Sequence, residues 1–228
     1  MKKLLIFTLS LFLFQTVTTA QDKPVSVYMS QFNVTPEDLE AGLKDANASF
    51  LFEARVHQIV GQDTTTQLGK FDPKLPVSEK WIILEHDGRA PTKKEYKTFY
   101  KNHNTKKDGI NASIIADSWE IESEDENLLV VSFMYDEKSL PRKYHFLTDT
   151  KGHAHINKKA NRLMHVIFKN DTPQKVKQFK VKSYELFMKY YFDTRDKIYL
   201  IEWEDLKMET TDGPMKELTE FFDYRKVK

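Results

Sequence analysis

Three histidines are the residues of this chain best placed to do chemistry. His153 and His155 are two apart in a run whose apolar residues alternate with polar ones, so on a strand they point to one face, and His165 follows a short turn. If residues 157–161 close a hairpin with Ile156 opposite Arg162, His153 falls opposite His165 and three imidazoles share a surface. Three His ligands with an open fourth position suit zinc or another borderline metal. The other face of these strands carries Ala154, Ile156, Met164, Val166 and Phe168, which puts the histidines on the solvent side, where imidazoles are ordinary polar surface. A register slip of one residue would send His165 to the other face. Metal binding therefore stands as an alternative function, and no cofactor is expected.

Other catalytic templates fail. There is no Gly-x-Ser-x-Gly elbow, no His-Glu-x-x-His helix and no phosphate-cradling loop in a chain of seven glycines. Glu85-His86-Asp87 clusters three polar groups at a strand end, but successive side chains on a strand diverge. The stretch 93–107 interleaves lysines with Tyr96, Phe99 and Tyr100, a pattern that can bind single-stranded nucleic acid. A capping box, Thr92-Lys93-Lys94-Glu95, explains the same residues as an amphipathic helix with a solvated lysine face. No nucleic-acid partner is expected, and the chain reads as a non-enzyme.

The elements that must position these residues are mostly strands. Thr35-Pro36-Glu37-Asp38 starts a short helix, with Thr as N-cap and Pro in the first turn. In Phe50, Phe52, Ala54 and Val56 the apolar residues fall at every second position, the period of a half-buried strand. A turn at 61–63 leads into 64–71, and a Pro-containing loop delivers Trp81 to Leu84. The turn Asp87-Gly88 and the helix from Thr92 to about His103 follow. From Ser118 onward the pattern is strand and turn: 119–121 with 128–135, then 143–148, 153–156 and 162–170. The meander 176–193, 197–210 and 217–227 closes the chain. Nine to eleven strands and two or three helices, joined by hairpins without crossovers, predict a mainly β fold. Its form is a large, curved antiparallel sheet or unclosed barrel with helices against the inner face.

The first twenty residues read as an export leader: Lys2 and Lys3, an apolar run from Leu4 to Phe14, and a small-residue site ending at Ala20. The run is too short to span a bilayer core of about 30 Å. Residues 21–228 then form one exported, soluble domain, periplasmic or extracellular, with no transmembrane segment after cleavage. Without Lys2 and Lys3 the 35 basic and 34 acidic residues become 33 and 34, so net charge steers the chain toward neither nucleic acid nor anionic lipid. No cysteine is present, so stability in an oxidising compartment rests on packing.

The block Phe71-Asp72-Pro73, Trp81-Ile82-Ile83-Leu84, Asp87-Gly88-Arg89-Ala90-Pro91-Thr92 and 95–100, with the closing 221–227, resembles a segment of uncharacterised exported bacterial proteins of the LolA-like periplasmic lipoprotein-carrier superfamily. The resemblance implies an unclosed antiparallel barrel around an apolar cavity under helical lids, with a lipid or an acylated protein as partner. Shielding an acyl chain is worth about 0.8 kcal/mol per methylene, roughly 11 kcal/mol for some 14 carbons. The side chains that could line such a cavity are Phe50, Phe52 and Val56, then Met164, Val166 and Phe168, then Tyr184, Leu186, Met188 and Tyr190. The same stripes in a filled core would make the protein an envelope interaction module instead.

Overall fold

The computed structural model describes residues 24–41, 49–104, 112–140, 147–148, 150–170, 173–176 and 179–227. The expected leader, Met1 to Ala20, lies outside the described residues, as does most of the strand expected at 143–148. Among the described residues no helix is long and apolar enough to cross a membrane.

The architecture is mainly β and antiparallel, in an open sheet. Strands β1 (Phe50–Val60), β2 (Asp63–Phe71) and β3 (Trp81–His86) precede β4 (Glu120–Glu124) and β5 (Leu128–Phe133). Then come β6 (Gly152–Asn157), β7 (Arg162–Lys169), β8 (Gln174–Val176), β9 (Phe179–Asp193), β10 (Ile198–Thr210) and β11 (Gly213–Lys226). Ten strands follow the order β3-β2-β1-β11-β10-β9-β7-β6-β5-β4, and β8 pairs with the start of β9 beside β7. The one long-range closure inside this path is β1 on β11, which sets Phe50 against Lys226 and Val60 against Met215. Among the described residues the edges are β3 and β4. The β4 edge carries Glu120, Glu122 and Glu124, all exposed, and charge of this kind blunts an unpaired strand.

Among the described residues three α-helices accompany the sheet: α1 (Val25–Ser30), α2 (Pro36–Ala41) and α3 (Lys93–His103). At α2 the Thr35 amide donates to Asp38 Oδ2 at 2.8 Å and the Asp38 amide donates to Thr35 Oγ1 at 3.4 Å, so the cap read from the sequence is reciprocal. At α3 the Glu95 amide donates to Thr92 Oγ1 and the Thr92 amide to Glu95 Oε2, the expected capping box. Helix α1 carries no side-chain cap, which is why its start leaves no mark in the sequence.

The inner face of the sheet holds two packed clusters. The larger buries Leu129, Val131 and Phe133 of β5, Ala154 and Ile156 of β6, Leu163, Val166 and Phe168 of β7 and the alternate residues of β9, under Met29, Val34 and Leu39 from the α1–α2 region. Tyr135 donates its hydroxyl to the Leu39 carbonyl at 2.9 Å. Tyr199 links the same region to β7: its oxygen accepts from the Leu163 amide at 3.0 Å, and its hydroxyl donates to the Asn33 carbonyl at 3.2 Å. The smaller cluster, Phe52, Ala54 and Phe71 with Trp81, Phe221 and Tyr224, lies at the β1–β3 end. Helix α3 packs there through Phe99, whose ring takes the space a Cβ on Gly69 would need, 3.1 Å away.

Candidate functional site

Strand pairing decides what the inner face offers. Of the residues named for a cavity wall, Phe50, Phe52, Val166, Phe168, Tyr184, Leu186, Met188 and Tyr190 are buried, and the last six belong to the larger cluster. Phe52 stacks on Phe71 with ring centroids 5.0 Å apart, and Phe50 meets the edge of Tyr224 at 6.2 Å. Tyr184 donates to Thr150 Oγ1 at 2.6 Å inside the core, where burial pushes its phenol up. Side chains in contact with helix and strand neighbours in this way fill the space between layers. Val56 and Met164 are the two that stay half-buried.

Met164 departs from the expected face because of a bulge. The pairs Asn157↔Arg162 and Ile156↔Leu163 give way to His155↔His165 across a register shift, so Met164 is the extra residue and Leu163 takes the core position. The same pairing corrects the histidine register. His155, not His153, stands opposite His165, and His153 pairs with Ile167. The hairpin closes one residue later than expected because Asn157 itself pairs with Arg162, its side chain accepting from the Ala160 amide at 2.8 Å. The His155 and His165 rings stack face to face at 4.3 Å, an arrangement that aligns planes and does not aim two nitrogens at one point. Among the described residues no group of three or more His, Cys, Asp or Glu could hold a metal.

The stack continues across the outer face. His165 lies 4.7 Å from Phe187 and Phe187 lies 4.8 Å from Trp203, so four rings cross β6, β7, β9 and β10. Burial, and then the neighbouring His155, hold the His165 imidazole down to about 4; His155 is also lowered, by burial first and His153 second. Both shifts favour the neutral imidazole.

The Glu85-His86-Asp87 group also differs from its reading as a strand. Asp87 has φ +50 ahead of Gly88 at φ +71, a left-handed pair that turns its carboxylate back to 3.1 Å from His86 Nδ1. The other Asp87 oxygen accepts from the Thr66 amide at 2.8 Å, and His86 Nε2 is 3.7 Å from Glu95. Arg89 donates to both Glu95 oxygens at 2.9 and 2.7 Å, holding that carboxyl well below the usual range. These contacts fasten the β3 turn to the start of α3.

Where the two clusters meet, the inner face carries half-buried apolar side chains: Val56 on β1, Leu206 and Met208 on β10, and Met215 and Phe221 on β11, of which Leu206, Met208 and Phe221 pack on the larger cluster and Phe221 also on the smaller. Cross-strand pairing sets Met208 against Met215, while Val56 faces Thr219 and Leu206 faces Glu217, so polar groups alternate with the apolar ones along the strip. Met208 and Met215 also line a depression of about 440 Å3 at the hairpin ends, with Tyr184, Lys169, Lys207 and Lys216. Leu206, Met208, Met215 and Phe221 escaped the cavity reading because their strands mix polar and apolar residues on both faces. The signal that finds them is the pairing of β11 with β1, a contact between the two ends of the sheet sequence. No protein-family model and no curated protein matches the chain.

Proposed function

We propose that the protein binds an apolar ligand, a lipid or the acyl chain of a partner, along the strip where its two inner-face clusters meet, and catalyses no reaction. The observation that carries this reading is the half-buried apolar strip Val56, Leu206, Met208, Met215 and Phe221, which stays partly open where the two clusters meet and whose Met208 and Met215 also line the depression at the hairpin ends. An acyl chain needs a trough of this kind and no reactive group. The reading places the protein outside the cytoplasm as an exported carrier, in keeping with the leader and with the resemblance to LolA-like carriers.

Dye binding by the folded protein tests it. A fluorescent fatty acid should bind the native chain, and Leu206→Asp or Val56→Asp should abolish binding while the protein stays folded, because a half-exposed carboxylate reaches water. Leu186→Asp, at 3 % exposure, should instead unfold the protein by burying an unpaired charge. Native protein that binds no fatty acid, or a folded Leu206→Asp variant that binds as well as wild type, refutes the proposal. Closed packing at eight of the ten expected lining positions favours the second reading, an envelope interaction module, and a negative result would promote it.

A further inference from the structure

We infer that the solvent face of α3 docks on an anionic lipid surface. Among the described residues the helix meets the sheet on one side. Phe99 is buried against Gly69 and Trp81, and Asn104, just past the helix end, accepts from the Trp81 amide at 2.8 Å and donates to the Trp81 carbonyl at 2.6 Å. At about 100° per residue, Lys93, Lys94, Lys97 and Lys101 project opposite Phe99, and Tyr96 and Tyr100 border them. The six residues span an arc of roughly 160°.

All six are exposed, Tyr96 at 48 % and Tyr100 at 36 %, and their rings stack at 6.4 Å. Among the described residues none of the four lysines is ion-paired. The acid of this helix, Glu95, is occupied by Arg89 and by the Thr92 amide, so it does not neutralise them. The result is a rigid cationic strip inside a chain whose net charge is only +1. Tyrosine beside lysine matches a lipid headgroup layer: the phenol has an apolar body and a polar tip, and lysine stems lie along apolar surface while their ammonium groups reach phosphate. A lysine near an anionic bilayer raises affinity by about fivefold, so four together contribute on the order of 10^3.

The test is co-sedimentation of the purified chain with vesicles of phosphatidylcholine alone and with 40 % phosphatidylglycerol, at low and high salt. Binding is expected on the anionic vesicles at low salt and should weaken in high salt as screening shortens the range of the charges. The quadruple variant Lys93→Gln, Lys94→Gln, Lys97→Gln, Lys101→Gln should lose roughly 10^2- to 10^3-fold while its thermal melt is unchanged. The pair Tyr96→Ser and Tyr100→Ser, with every lysine kept, should also weaken binding. Equal binding of wild type and the lysine variant overturns the proposal. So does binding to heparin or single-stranded DNA by the wild type without binding to anionic vesicles, which would assign the strip to a polyanion. Because fatty-acid binding by the strip on β1, β10 and β11 is read separately, either proposal can fail without the other.

Discussion

Replacing Gly152 with Ala asks directly whether the inner face is packed or hollow. Gly152 opens β6 and faces the larger cluster between Phe133 of β5 and Phe168 of β7, its cross-strand partners on either side. A Cβ there would stand 2.5 Å from Phe168 Cε1 and 2.8 Å from Phe133 Cζ, about 1 Å inside comfortable carbon contact. Neither ring has free space to move into. Phe133 meets Phe168 edge-on at 5.9 Å and Trp119 at 5.3 Å, while Phe168 stacks on Tyr135 at 5.7 Å, and both rings are fully buried. Overpacking of this kind costs about 1–3 kcal/mol, partly offset by about 0.4–1 kcal/mol from the stiffer unfolded chain, leaving a net loss of roughly 1–2 kcal/mol. With a urea slope of about 2 kcal/mol/M the midpoint should fall by roughly 0.5–1 M. Gly69→Ala is the control. Its Cβ would meet one atom of Phe99 at 3.1 Å, on a helix able to shift by a few tenths of an ångström, so its midpoint should stay within about 0.3 M of wild type. A Gly152→Ala midpoint equal to or above wild type, with unchanged slope, would show that Phe133 and Phe168 have room to swing and that the core is a cavity there.

Thr92→Ala should cost about 0.5–2 kcal/mol through the lost cap, and Phe99→Ala about 3–5 kcal/mol as its buried ring leaves Gly69 and Trp81 uncovered; urea melts that show two negligible losses would make α3 a loose surface arm. For His165 the sign follows from its depressed pKa of about 4 against an ordinary value near 6.5. The unfolded chain takes up a proton that the folded chain refuses, so the stability tied to this group is present above pH 6.5 and is lost as pH falls toward 4. The slope is at most about 1.4 kcal/mol per pH unit and is reduced by solvent screening. His165→Phe should flatten the urea-midpoint profile between pH 6.5 and 4, and an unchanged profile would place the ring in a wetter setting. Fatty-acid binding should vanish in Leu206→Asp with the fold intact, as measured by fluorescence titration beside circular dichroism.

Much of the architecture was legible because period-two alternation survives wherever one face of a strand is buried. Phe50, Phe52 and Ala54 on β1 and Tyr184, Leu186, Met188 and Tyr190 on β9 point inward together, and the hairpins of the last sixty residues fall where their turn residues lie. Capping chemistry located α2 and α3 for the same local reason, since Thr35 with Asp38 and Thr92 with Glu95 act across three residues. Helix α1 follows Pro24 without a side-chain cap and is held by tertiary burial of Met29, which no local pattern announces. The strand expected to run unbroken from Val176 to Asp193 instead has Val176 in a short separate strand, β8, which pairs antiparallel with the start of β9.

What the sequence could not supply was register, and function in this fold depends on register. The bulge at Met164 exchanges it with Leu163, so a single extra residue removes one expected wall residue and brings an unexpected one into the core. One residue's difference in where the 157–161 turn closes, added to the bulge at Met164, replaces a His153–His165 pair with a His155–His165 stack. A supposed metal triad becomes the first half of a ring ladder that Phe187 and Trp203 extend. Sheet order is equally remote from local pattern: Val56 and Phe221 share the inner strip because β1 lies beside β11, about 160 residues away along the chain. Loop-closure entropy grows only slowly with such a separation, so it leaves no compositional trace. The apolar strip is assembled by that pairing from residues that look unremarkable in their own strands. On the proposed reading, a variant that loosens β1 from β11 should lose fatty-acid binding before it loses the larger cluster, whose strands β5 to β9 pair independently of β1.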